Sequence, residues 1–104
     1  MSEFHTIAKV GDIPEGRGRT FRIGDHEIAV FCRSGRYYAL DDYCPHMGAS
    51  LGSSDLHGDL VLCNRHQWAF DIRDGSSPDV PALRAKTFEV RVEGDAIQVR
   101  VPSA

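Results

Sequence analysis

Two cysteines and two histidines are spaced so that they could share a metal. Cys44 and His46 stand one residue apart in CPHMGASLG, residues 44–52, and Cys63 and His66 stand two apart in CNRHQWAFD, residues 63–71. Each pair offers one soft thiolate and one imidazole. Two protein donors alone retain no mobile metal well, so the pairs are expected to act together. Sixteen residues, Met47 to Leu62, separate the first histidine from the second cysteine.

Three readings of these donors compete. Unrelated structural roles would need two chance pairs in a chain with only 3 Cys and 5 His. A structural zinc site accepts two thiolates and two imidazoles tetrahedrally, and spacing alone does not exclude it. The familiar zinc-finger order, however, groups cysteine with cysteine and histidine with histidine, whereas here each segment supplies one of each. That mixed order suits a two-iron, two-sulfide centre in which thiolates hold one iron and imidazoles the other, because each segment then reaches both irons.

The elements that must position these residues read as strands and turns. Phe88, Val90 and Val92 alternate with Glu89 and Arg91, and Ile97, Val99 and Val101 alternate with Gln98 and Arg100, with the two-residue hairpin signal Gly94-Asp95 between them. Gly24-Asp25 joins TFRI to HEIAVFC, and Ser34-Gly35 joins that run to RYYALD. Three hairpins without a sustained helical stripe predict an all-β chain, a small antiparallel β barrel or sandwich. Both donor pairs then fall in loops: the first follows RYYALDDY and the second follows LVL, with WAFDI resuming extended structure. Pro45, Gly48 and Gly52 punctuate the first loop, and Gly75, Pro78 and Pro81 mark a third.

At 104 residues the chain is long enough for one domain, residues 1–104, and too short for two. It is 41% hydrophobic and 26% charged, an ordinary globular composition. No apolar run approaches membrane-spanning length, and MSEFHTIAKV lacks the pattern of an export signal, so a cytoplasmic location is expected. A formal net charge of -3 gives no electrostatic reason to expect nucleic acid or an anionic membrane as partner. The basic GRGRT, with Arg17 and Arg19, reads as a solvated loop. Three cysteines argue against a pure disulfide framework, and Cys32 reads as a small buried strand residue. His5, His26 and His57 are scattered and read as surface or turn residues. Asp41, Asp42, Asp55, Asp59, Asp71, Asp74 and Asp79 singly read as turn residues, but as a group near the loops they could steer a positively charged partner.

Cys44-Pro45-His46 and Cys63-Asn64-Arg65-His66, with Trp68, Phe70, Asp71 and Gly75, resemble the signature of Rieske [2Fe-2S] ferredoxins, and the likeness runs from VGDIPEG to the final hairpin. The resemblance implies a Rieske-type fold with a cluster-binding loop subdomain at one tip and one [2Fe-2S] cluster per chain. By the same likeness Cys44 and Cys63 hold the buried iron, and His46 and His66 hold the outer one. Many relatives have proline where Asn64 stands and glycine where Gln67 stands, which leaves the shape of the second loop open.

Chemistry follows from that ligand set. Neutral imidazoles leave the oxidised core near zero charge, so it accepts one electron more readily than an all-cysteine cluster. The expected function is one-electron transfer from an NAD(P)H-linked flavin reductase to a terminal oxygenase or other acceptor; the alternatives are the small subunit of an NAD(P)H-dependent nitrite reductase and a structural zinc domain. The chain has no room for the mononuclear iron site of a terminal oxygenase and no dinucleotide fingerprint, so it is not expected to be an enzyme by itself. High-potential relatives have a cysteine in each loop forming a disulfide, and a serine and a tyrosine donating to the sulfurs. Here Ala49, Arg65, Trp68 and Phe70 occupy those positions, which implies a lower potential.

Overall fold

Three two-residue turns organise most of the chain. β1 (Ser2–Lys9), β2 (Arg17–Ile23), β3 (His26–Arg33), β4 (Arg36–Asp41), β5 (Leu56–His57), β6 (Leu60–Leu62), β7 (Ala69–Asp71), β8 (Thr87–Glu93) and β9 (Ala96–Pro102) follow one another along the chain. The computed structural model describes residues 2–42, 50–52, 54, 56–62, 69–78, 82 and 84–102. Gly24 (φ 58°) and Gly94 (φ 63°) supply the positive φ at the first turn position of the β2–β3 and β8–β9 hairpins. The β3–β4 turn needs positive φ at both positions, and Ser34 adopts 53° beside Gly35 at 75°. Glu15 compensates for that unfavourable serine conformation: its carboxylate accepts the Ser34 N–H at 2.7 Å and the Gly35 N–H at 3.2 Å. Those two donated bonds hold the Glu15 carboxyl below the ordinary carboxylate range.

The strands form a six-stranded antiparallel sheet in the order β1-β9-β8-β4-β3-β2 and a three-stranded sheet in the order β5-β6-β7. The larger sheet curls because it must cover two cores. One comprises Ile13, Ile28, Val30, Cys32, Ala39, Phe88, Ile97, Val99 and Val101. The other comprises Ala29, Phe31, Leu40, Leu51, Val61, Phe70, Ile72 and Ala85. β3 feeds both, Ile28 and Val30 to the first and Ala29 and Phe31 to the second, which is why its residues run apolar without alternation. Tight packing beside it depends on Gly18, since a Cβ there would lie 2.5 Å from the Phe31 ring.

The expected all-β antiparallel architecture is present, with two local corrections. GRGRT is not a loop: Arg17 and Arg19 lie within β2, paired with Cys32 and Val30 of β3. The arginine side chains are exposed on an edge strand, where charge discourages a further strand from adding. Val92 leaves the apolar pattern and is 47% exposed. β8 meets β4 only at Ala39↔Phe88 and Leu40↔Thr87, and at Val92 its strand partner is Ile97 of β9, so this end of β8 runs out beyond the shared edge with β4.

Candidate metal centre

The first donor loop springs from the end of β4. Asp42 closes its root: the Asp42 N–H donates to Glu27 O at 2.9 Å, and Leu51 N–H, on the returning side, donates to Asp42 O at 2.8 Å. The Asp42 side chain lies inside the protein, 4% exposed. Its Oδ1 accepts from Gly52 N at 2.7 Å, Thr20 Oγ1 at 2.9 Å and Ser50 Oγ at 3.0 Å. Gly52 is required at this crossing, because a Cβ would strike Thr20 Oγ1 and lie 2.9 Å from Asp42 Oδ1.

The second donor loop joins β6 to β7. Its root is a short ladder of Leu62↔Ala69, Val61↔Phe70 and Leu60↔Asp71. Val61 and Phe70 turn into the same buried cluster as Leu51, and none of the three is exposed. The two roots therefore stand side by side on one hydrocarbon floor with Phe31 and Leu40 beneath. Cys44, His46, Cys63 and His66 themselves lie outside the described residues, as do Ala49, Asn64, Arg65, Gln67 and Trp68. Among the described residues no group of three or more His, Cys, Asp or Glu could hold a metal.

The third loop is tied to the second at its base. Gly75 N–H donates to Asp71 O and Asp71 N–H to Ser76 O, both at 2.7 Å, while Ala85 N–H donates to Gly75 O at 2.8 Å. Gly75 has φ 80°, and a Cβ would overlap the Ala85 carbonyl, so backbone runs against backbone there. Pro78, exposed, starts the outer part of this loop.

Among the described residues, several of the acids near the loops are engaged within the chain. Asp42 is interior and bonded as above. Asp71 pairs with Arg73 at 2.7 Å, and Asp59 lies 3.4 Å from Arg33 and 3.7 Å from Arg73. Hydrogen bonds from Arg73 hold the Asp71 carboxyl below its ordinary range, and the Ser76 hydroxyl and N–H do the same for Asp74. Asp55 and Asp79 lie outside the described residues. Cys32 is a buried strand residue as expected, its thiol pushed up by burial and by the Glu15 charge, a setting for an inert cysteine. His57 is exposed on β5, and His26 packs edge-on against Phe88 with ring centroids 5.9 Å apart.

The Asp42 crossing was not legible as a site. Asp41 and Asp42 read as turn residues, and the partner hydroxyl of Thr20 is 22 residues away. The one signal that could have pointed to it is Gly52, a residue without a Cβ where the backbone passes close to Thr20 and Asp42.

Comparison with known proteins agrees with this architecture. The family model described as the Rieske [2Fe-2S] domain matches residues 3–100. The ferredoxin component of the alkene monooxygenase system of Xanthobacter autotrophicus is 31% identical over 98 residues, covering 93% of this chain and 80% of the relative. The ferredoxin component of the p-cumate 2,3-dioxygenase system of Pseudomonas putida is 36% identical over 104 residues, covering 97% and 88%. Among solved structures, the ferredoxin of carbazole 1,9a-dioxygenase from Nocardioides aromaticivorans superposes with a TM-score of 0.86 at 25% identity, covering 92% of this chain and 95% of that one. An NADH-dependent nitrite reductase small subunit from Mycobacterium tuberculosis superposes at 0.91 over 100% and 99%, but at 22% identity this shows the fold alone. The chain belongs to the Rieske [2Fe-2S] domain family and is an electron-carrying ferredoxin that holds one [2Fe-2S] cluster.

Proposed function

We propose that Cys44 and Cys63 ligate one iron and His46 and His66 the other, and that the protein takes electrons from an NAD(P)H-linked flavin reductase and delivers them to a terminal oxygenase. The observation that supports this reading most is the placement of the two loop roots, Asp42–Leu51 and Leu62–Ala69, on one buried floor, each loop containing one Cys and one His. Two thiolates and two neutral imidazoles are the donor set that a mixed cluster of this kind requires. When bound, the cluster supplies one-electron redox chemistry. The chain's own part is to hold the loops at a fixed separation and keep water from their apolar base through Leu51, Val61 and Phe70.

An oxygenase acceptor is favoured by relatives between 31% and 36% identical that are named as components of oxygenase systems, and by a solved complex of oxygenase and ferredoxin whose match to this chain is 30% identical with a TM-score of 0.85. Membership of a nitrite reductase as its small subunit has only the fold in its favour. No helix among the described residues is long and apolar enough to cross a membrane, and we place the protein in the cytoplasm as a single domain. Iron and sulfide analysis with the visible and electron paramagnetic resonance spectra tests the cluster. Reduction by a flavin reductase with NADH, followed by reoxidation on adding a terminal oxygenase, tests the route. A colourless protein containing zinc would overturn the assignment, and a stable complex with a nitrite reductase large subunit would replace the acceptor.

A further inference from the structure

We propose that Asp42 sets the reduction potential: its carboxylate is a buried negative charge at the root of the first ligand loop, and it makes the cluster harder to reduce. This rests on the assignment of Cys44 and His46 as ligands. Asp42 is the one charged residue buried among the described residues. It precedes Cys44 by two residues, which limits the separation of their α-carbons to about 7 Å. Its three bonded partners, Thr20 Oγ1, Ser50 Oγ and Gly52 N–H, are all neutral donors. None of the ion pairs among the described residues includes it. Neutral donors orient toward an anion and damp its field without cancelling its charge. Such a charge is felt over about 10 Å in a partly apolar interior far more than across water.

All three donors converge on one oxygen, Oδ1. That geometry separates charge from structure. In Asp42→Asn the amide oxygen can accept all three bonds, so the acceptor is kept while the charge is removed. In Thr20→Val the charge stays and one damping dipole is lost, with side-chain volume nearly unchanged. A charge effect moves the two variants in opposite directions, whereas a loosened loop moves both the same way.

The experiment is protein-film voltammetry at pH 7 on the wild type, Asp42→Asn and Thr20→Val, each checked first for iron, sulfide and the reduced cluster's paramagnetic resonance signal. A wild type without that signal counts against the ligand assignment and is recognised before any potential is read. With clusters present, Asp42→Asn is expected to favour the reduced form by the order of tenfold, which is about 59 mV upward for one electron, and Thr20→Val to shift the midpoint downward. An unshifted or lowered midpoint in Asp42→Asn overturns the proposal, as do shifts of the same sign in both variants. If Asp42→Asn loses its cluster, Thr20→Val decides alone: a fall supports the proposal, and a rise or no change overturns it.

Discussion

The six-stranded sheet and the three-stranded sheet solve opposite problems. In the larger sheet every strand has 6 to 8 residues, and three of its five pairings are hairpins closed by two-residue turns, while β1–β9 and β4–β8 join distant parts of the chain. The smaller sheet has strands of 2, 3 and 3 residues, too short to stand in water without support. It is held by what it borrows: the floor shared with Phe31 and Leu40, and the Asp59 carboxylate reaching Arg33 of β3. Regularity in one region permits irregularity in the other.

The largest break between the two comes from the ligands. Alanine at Cys44, His46, Cys63 or His66 is expected to abolish the cluster, because each leaves an iron short of a donor in loops that the metal itself ties together. The six-stranded sheet should survive, read as an unchanged far-ultraviolet circular dichroism spectrum beside a bleached visible one. A full red-brown cluster in His66→Ala would defeat the assignment. Cys32→Ser, on β3, should leave iron and sulfide content unaltered.

Core deletions sharpen the contrast. Phe70→Ala is expected to cost about 3–5 kcal/mol and Ile97→Ala about 2–5 kcal/mol in denaturant unfolding. Both residues are fully buried, but Phe70 belongs to the floor under the loops and Ile97 to the other core. Only the first should speed cluster loss at a denaturant concentration below the unfolding midpoint. Equal rates of loss would mean that the two cores melt as one.

A subtler change at the same position concerns the potential. The missing hydroxyl donors imply a midpoint in the lower part of the roughly -150 to +300 mV Rieske range. Phe70→Tyr adds a hydroxyl in a site without solvent, where it must find an acceptor or cost about 1–3 kcal/mol. If that acceptor is a ligand sulfur, voltammetry shows a raised midpoint at little cost in stability. An unchanged midpoint with a less stable protein would mean that the loop places the sulfur elsewhere.

The smallest expected effect is at the edge of the small sheet. Asp71 is held below its ordinary range mainly by its hydrogen bonds from Arg73. A carboxylate with a depressed folded value stabilises fully above its unfolded pKa, about 3.9, and loses that contribution as pH falls through the folded one. The melting temperatures of wild type and Asp71→Asn should therefore converge on acidification below about pH 4. A gap that persists at low pH would assign the difference to packing instead of charge.

What the sequence revealed follows the same division. The β2–β3, β3–β4 and β8–β9 hairpins were legible because Gly24, Gly35 and Gly94 announce positive φ and the flanking runs are apolar or alternate. β1 was not, since its pairing with β9 slips between Thr6 and Ala8 and breaks the two-residue period. β5 has two residues and no period at all. Arg17 and Arg19 misled because an edge strand tolerates charge on the side that faces water. The four proposed donors stood out in the sequence by type, spacing and likeness to the family signature. What holds the roots of their loops was not legible, since Thr20, Ser50 and Gly52 meet Asp42 only after the sheet has formed.

β3 has no face turned to solvent between Ile28 and Phe31, and it is flanked by β2 on one side and β4 on the other. Amide protons there have no local opening through which to meet water, so their deuterium uptake clocks the unfolding of the whole chain. Those of Leu62 and Ala69, the rung at the root of the second loop, clock the small sheet alone. Removing the metal should therefore quicken the second clock by more than the first, and the factor by which the ratio of the two rates changes gives the free energy with which the cluster fastens its own platform to the rest of the molecule.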